Sequence, residues 1–201
     1  MPIKKFQPGE RDIIKQTRTW LQTVVINNNF CPFARPALAT GSIRFHVAAA
    51  MEFTNALAVL LDECKRLDVQ CEIETTLVIY PYISQDFTDY LLLLELGEQL
   101  LIAQGYEGIY QLASFHPDYC FTDSAVDDPA NYTNRSPFPM LHIIRESSIE
   151  RALATFPRAD SIPQRNIDLA RRLGTAKMKA LLKACQKADG KPNTPNHGKK
   201  T

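Results

Sequence analysis

The sequence predicts an α/β (or α+β) domain: a single mixed sheet of about four strands with helices packed on it. Three observations lead there. Segments with apolar residues at three- and four-residue intervals alternate with short apolar runs from residue 10 to residue 115. Two of the runs, 109–115 and 140–145, then follow each other with no helix between them, so the sheet is not purely parallel. Finally, 201 residues with 45% hydrophobic and 22% charged side chains suit one domain with a sizeable core.

Taken in order, residues 1–9 form an N-terminal extension, 10–186 the globular domain, and 187–201, KADGKPNTPNHGKKT, a polar tail expected to be disordered. Residues 10–28 place Ile13, Ile14, Thr17, Trp20, Leu21, Val24 and Val25 on one helix face. That helix exits through Asn27, Asn28 and Asn29, residues that tolerate left-handed backbone. The next segment, NFCPFARP, is stiffened by Pro32 and Pro36 into a fixed turn presenting Cys31 and Arg35. Ser42–Val47 alternates as a first strand, and 52–67 is a helix with Phe53, Ala56, Leu57, Leu60, Leu61 and Cys64 inward. Thr75–Tyr80 is almost wholly apolar and stops at Pro81, as a central strand does. Residues 86–104 form a third helix closed by Gly105. Strands follow at 109–115 and 140–145. Ser147 or Ser148 caps a short helix ending near Pro157, and 163–187 is one final amphipathic helix.

Composition excludes several classes. Twenty-three basic against 22 acidic side chains leave a net charge of +1 and no global field for nucleic acid or a membrane surface. Any anion binding is therefore local. The N-terminal residues lack a signal peptide's apolar core, so a cytoplasmic address is expected. The run Leu91–Ala103 is too short to span a bilayer and contains Glu95 and Glu98. Five cysteines, with no CxxC and no metal-spaced His pair, indicate neither a disulfide framework nor a zinc site. There is no GxGxxG and no P-loop run. No cofactor and no oligomeric state is specified.

Most of the chemically capable residues fall between Phe115 and Glu146. This stretch has four prolines and no glycine, so an ordered, functional loop is expected, against a structural Ω-loop whose Asp and Asn side chains satisfy its own backbone. His116, ending a strand before Pro117, is a candidate general base. His142 lies in the last strand on one face with Met140 and Ile144, while Arg145 takes the other face. Arg135, with Asn131, Asn134 and Ser136 beside it and Arg35 converging, is the candidate anion grip, because a guanidinium fork holds a carboxylate through two parallel bonds. Cys31 is the candidate nucleophile, its thiolate favoured if a His and an Arg lie near.

The segments NNNFCPFA, SFHPDYCF and NYTNRSPFPMLHIIRE, in this order and spacing, resemble an uncharacterised bacterial family known only as a domain of unknown function. The likeness covers roughly residues 10–186 and implies no activity or catalytic residue.

The residues alone thus predict an enzyme acting on a small anionic or acyl-bearing substrate, a Cys/His-dependent hydrolase or transferase. Cys31 attacks, His116 is its base, and His142 or Arg145 stabilises negative charge. Two alternatives stand beside it. One is a metal- or haem-binding protein using His116, His142, Cys31 and Glu95 or an Asp. The other is a non-catalytic module whose Tyr119, Phe121, Tyr132 and Phe138 form an exposed recognition surface with Arg135.

Overall fold

Residues 75–79, TTLVI, carry no charge and are buried along their whole length, which makes this strand the centre around which the chain is layered. In the computed structural model, which describes residues 8–156 and 159–186, it is the second of four strands: β1 (Ile43–Val47), β2 (Thr75–Ile79), β3 (Tyr110–Phe115) and β4 (Met140–Arg145). The sheet order is β1-β2-β4-β3. β1 runs parallel to β2, and β4 lies antiparallel between β2 and β3. The sheet is mixed, as expected, and helices cover both faces. The tail 187–201 and residues 1–7 of the N-terminal extension lie outside the described residues.

One face is packed by α3 (Phe53–Val69) and α4 (Phe87–Ala103). Ala56, Leu60, Cys64 and Leu67 of α3, with Tyr90, Leu93 and Leu101 of α4, meet Val78, Leu112, Leu141 and Ile143 of the sheet. Asp86 caps α4 by accepting from the N–H groups of Thr88 at 2.8 Å and Asp89 at 3.2 Å. The helix ends in a Schellman turn. Gly105, at φ +77°, lets its own N–H reach the Ile102 carbonyl while the Tyr106 N–H reaches that of Leu101. Gly97 faces the sheet so closely that a Cβ there would sit 3.0 Å from Leu60 Cδ2 and 3.2 Å from Leu112 Cδ1.

The other face is covered by α1 (Glu10–Trp20), the π-helical turn Leu21–Ile26 that continues it, α6 (Ile162–Leu173) and α7 (Thr175–Gln186). Ile13, Trp20, Val24 and Ile26 pack there with Ile43, Leu77, Ile79 and Met140. α2 (Ala34–Ala39) and α5 (Glu146–Thr155) complete the set. No helix among the described residues is long and apolar enough to cross a membrane.

Four local expectations change. The first helix does not stay α-helical to residue 28, because the Asn27 N–H donates to the Gln22 carbonyl five residues back and opens a π turn. NFCPFARP is not wholly a turn: Ala34–Ala39 is helical, with Pro36 inside the first turn where its missing N–H has no helical acceptor to lose. Ser147 and Ser148 do not cap α5, which starts at Glu146 directly from β4 and has no side-chain cap bond. The final helix is two, since Gly174 at φ +79° breaks it, and Thr175 then donates from its hydroxyl to the Asp127 carbonyl. Asn29 does take the left-handed backbone, at φ +53°.

Candidate functional site

The α3/α4 face is filled by side chains, but the opposite face holds a cavity of about 550 Å³ between the sheet and α1, α2 and α5. Its floor comes from alternate residues of the four strands: Ile43 of β1, Thr75 and Leu77 of β2, Ala113 and Phe115 of β3, and His142 and Ile144 of β4. Trp20, Leu21 and Val25 form one wall. Trp20 and Val25 are five residues apart, and the π turn brings both to the cavity. Trp20 meets the Phe115 ring edge-on at 5.1 Å, and its indole N–H donates to the Arg135 carbonyl at 2.9 Å. Cys31, Phe33 and Ala37 form a second wall, and Ser148, Ile149 and Ala152 of α5 a third.

His142 is the chemically distinctive group. The Thr75 hydroxyl has one hydrogen, which goes to the Ile143 carbonyl at 2.5 Å. The contact between Thr75 Oγ1 and His142 Nε2, at 2.6 Å, must therefore have the ring as donor. That fixes the tautomer. Nδ1 keeps a lone pair and has no partner among the described residues. Burial holds the His142 pKa well below its ordinary value, at about 4, so the ring is neutral at pH 7.

Cys31 lies in the same wall system. Burial pushes its thiol pKa up, and the N–H groups of Phe33 and Ala34 pull it down by less. At neutral pH it is a thiol, not the thiolate expected from an adjacent cation.

The remaining candidates sit elsewhere. His116 follows Phe115 and points to the opposite face, where its ring lies 5.2 Å from Phe87 and 5.0 Å from Tyr90. It is fully buried, and its Nδ1 accepts from the Asp118 N–H at 3.1 Å. It cannot serve Cys31 from there. Arg145 donates to the carbonyls of Leu67 at 2.6 Å and Ile73 at 3.1 Å, closing the C-terminal end of α3. Its guanidinium is occupied on the α3 side and does not face the cavity. Arg35 donates to the Ile26 carbonyl at 3.3 Å.

The anion grip dissolves in the same way. Arg135 donates to the Tyr119 and Val126 carbonyls at 3.0 and 2.8 Å and lies 4.6 Å above the Tyr132 ring. Asn131 is fully buried, accepting from the Phe121 N–H and donating to the Ala125 carbonyl. Asn134 donates to the Ser114 carbonyl, and Ser136 to that of Phe138. Asp128 caps the short 3-10 helix Pro129–Thr133 and pairs with Arg171 at 2.7 Å. These side chains satisfy the loop's own backbone, as expected of a structural Ω-loop.

The two other readings lose their supports. Tyr132 is buried and Tyr119, Phe121 and Phe138 are half-buried, so they form no exposed aromatic patch. Glu95 is exposed on α4 beside Gln99, while His116 and His142 occupy opposite faces of the sheet. Among the described residues no three His, Cys, Asp or Glu side chains converge as metal ligands would.

Sequence reasoning missed most of the cavity. Trp20, Leu21, Val25 and Phe115 looked like core, and nothing local marks a core residue that borders a void. Thr75 carried a signal, being a hydroxyl at the head of an apolar strand that needs a buried partner. The model of the family described as "Protein of unknown function (DUF1415)" matches residues 12–180. No curated protein and no solved structure matches the chain.

Proposed function

The chain belongs to the DUF1415 family, proteins of unknown function, and from the geometry of its own cavity we propose that it binds a small, largely apolar molecule carrying one hydrogen-bond donor. The observation that carries this is a neutral His142, its Nδ1 unbonded among the described residues, in the lining of a largely apolar cavity of about 550 Å³. Small-molecule sites have this character: apolar walls supply affinity and a few placed polar groups supply orientation. An N–H or O–H on the ligand would satisfy Nδ1, whose acceptor position the fixed tautomer dictates.

Trp20 is the single tryptophan and lines the cavity, so its emission reports occupancy. Phenethyl alcohol is expected to change that emission saturably, and His142→Phe to weaken its binding about 10-fold, the value of one hydrogen bond. An unsaturable response, or equal affinity in the variant, overturns the proposal.

The shared cavity of Cys31 and His142 favours a second, catalytic reading on an acyl-bearing apolar substrate. The Cys31 thiol would give its proton to His142 Nδ1 as Sγ bonds the acyl carbon. The leaving group would depart with that proton, and water would release the acyl group from sulfur. Cys31→Ser should then abolish turnover of an apolar phenyl ester while phenethyl alcohol still binds; undiminished turnover removes Cys31 from the chemistry. Five free cysteines suit a reducing, cytoplasmic setting for either reading.

A further inference from the structure

Resting on the binding reading above, we infer that the ligand's polar group is an amine, received at the cavity mouth by the Glu74 carboxylate. The polar inventory of the lining leads to this. Thr40 and Ser42 spend their hydroxyl hydrogens on the carbonyls of Pro36 and Ala37 and share a 3.0 Å contact with each other. Thr75 is spent between Ile143 and His142. Ser148 Oγ accepts from Arg151, and His142 Nδ1 and Glu74 also keep unspent acceptor capacity; Glu74 directly precedes Thr75, which is bonded to His142.

Glu74 gives one oxygen, Oε1, to Arg151 at 3.0 Å, and its second oxygen has no partner among the described residues. No lysine or arginine among the described residues lines the cavity. Arg151 stands outside, with 61% of its side chain exposed, and also donates to the Ser148 hydroxyl at 2.9 Å. A carboxylate ligand would bring a second negative charge against Glu74 with no cation on the lining to offset its desolvation. An ammonium would instead find a carboxylate at the mouth and, through one of its N–H groups, the acceptor nitrogen of His142. Discrimination thus comes from what the wall repels as much as from what it attracts. This reverses the charge expected from the sequence, because every arginine assigned there to an anion is engaged by backbone carbonyls.

The test is calorimetric titration of the full chain with four molecules sharing one ring: ethylbenzene, phenethyl alcohol, phenethylamine and hydrocinnamate. Phenethylamine is expected to bind at least about 10-fold more tightly than hydrocinnamate. Glu74→Gln, which keeps an acceptor for Arg151 at an exposed position, should cut that ratio below about 3-fold and leave phenethyl alcohol unchanged. Equal or tighter hydrocinnamate binding overturns the inference while the cavity reading stands, provided ethylbenzene and the alcohol bind. A preference for the amine that survives in Glu74→Gln removes Glu74 from it. Failure of all four to bind sinks both readings together.

Discussion

His142 couples the cavity to pH. Its pKa is held near 4 by burial, against about 6.5 for an unperturbed imidazole. Between those values the unfolded chain binds a proton that the folded chain refuses. Stability from this source is complete above pH 6.5 and is lost as pH falls towards 4, by at most about 3 kcal/mol. His116 is shifted in the same direction by the same cause. Denaturant midpoints measured from pH 7 to pH 4 should therefore fall, and the fall should be smaller in His142→Phe. An identical slope in the variant would mean that other groups carry the acid sensitivity. The two histidines also show where sequence reasoning stops. By residue type Cys31 was a candidate nucleophile, His116 its expected base and His142 a stabiliser of negative charge, and the face of His142 followed from strand alternation. His116 is an equally capable side chain, yet it ends a neighbouring strand with the opposite parity and is enclosed by Phe87, Tyr90 and Tyr119. Only the long-range order of the strands separates the two.

At the scale of elements, strands and helices were legible wherever one face is buried, because the period of the apolar residues is set by that burial. The four strands and the spans of α3 and α4 follow the expected limits to within two residues. What failed depended on contacts the local pattern does not contain. α6 and α7 continue one amphipathic period across Gly174, and the break there depends on the Asp127 carbonyl that receives Thr175. The long loop has the composition of a site because the groups that satisfy a buried backbone are the same Asn, Asp, Ser and Arg that bind ligands. Arg135→Ala distinguishes the roles. Its loss takes the side-chain donor from the Tyr119 carbonyl, leaves that of Val126 only the 3.4 Å bond from Asn131, and removes the contact with Tyr132, which should lower stability by about 1–3 kcal/mol. Phenethyl alcohol affinity should change by less than about 3-fold. Intact stability with lost binding would return Arg135 to the site.

For the whole molecule, the unequal filling of the two sheet faces is the feature from which function follows. A half-open cavity of about 550 Å³ with largely apolar walls has the size and character of a small-molecule site. The π turn at Leu21–Ile26 bears on how that space is kept open. Inserting one residue into an α-helix swings everything beyond it by about 100°. A π turn absorbs the insertion, so the chain holds one surplus residue while the helix before and after keeps its facing. Gln22 is exposed and is the residue to remove. Its deletion should leave Trp20 and Val25 four apart on a plain α-helix, still aimed at the sheet, in a protein that folds with a higher melting temperature. The same variant should no longer bind phenethyl alcohol detectably. The length of the chain at this one point would then be a spacer, and homologues one residue shorter there would be expected to accept smaller molecules or none.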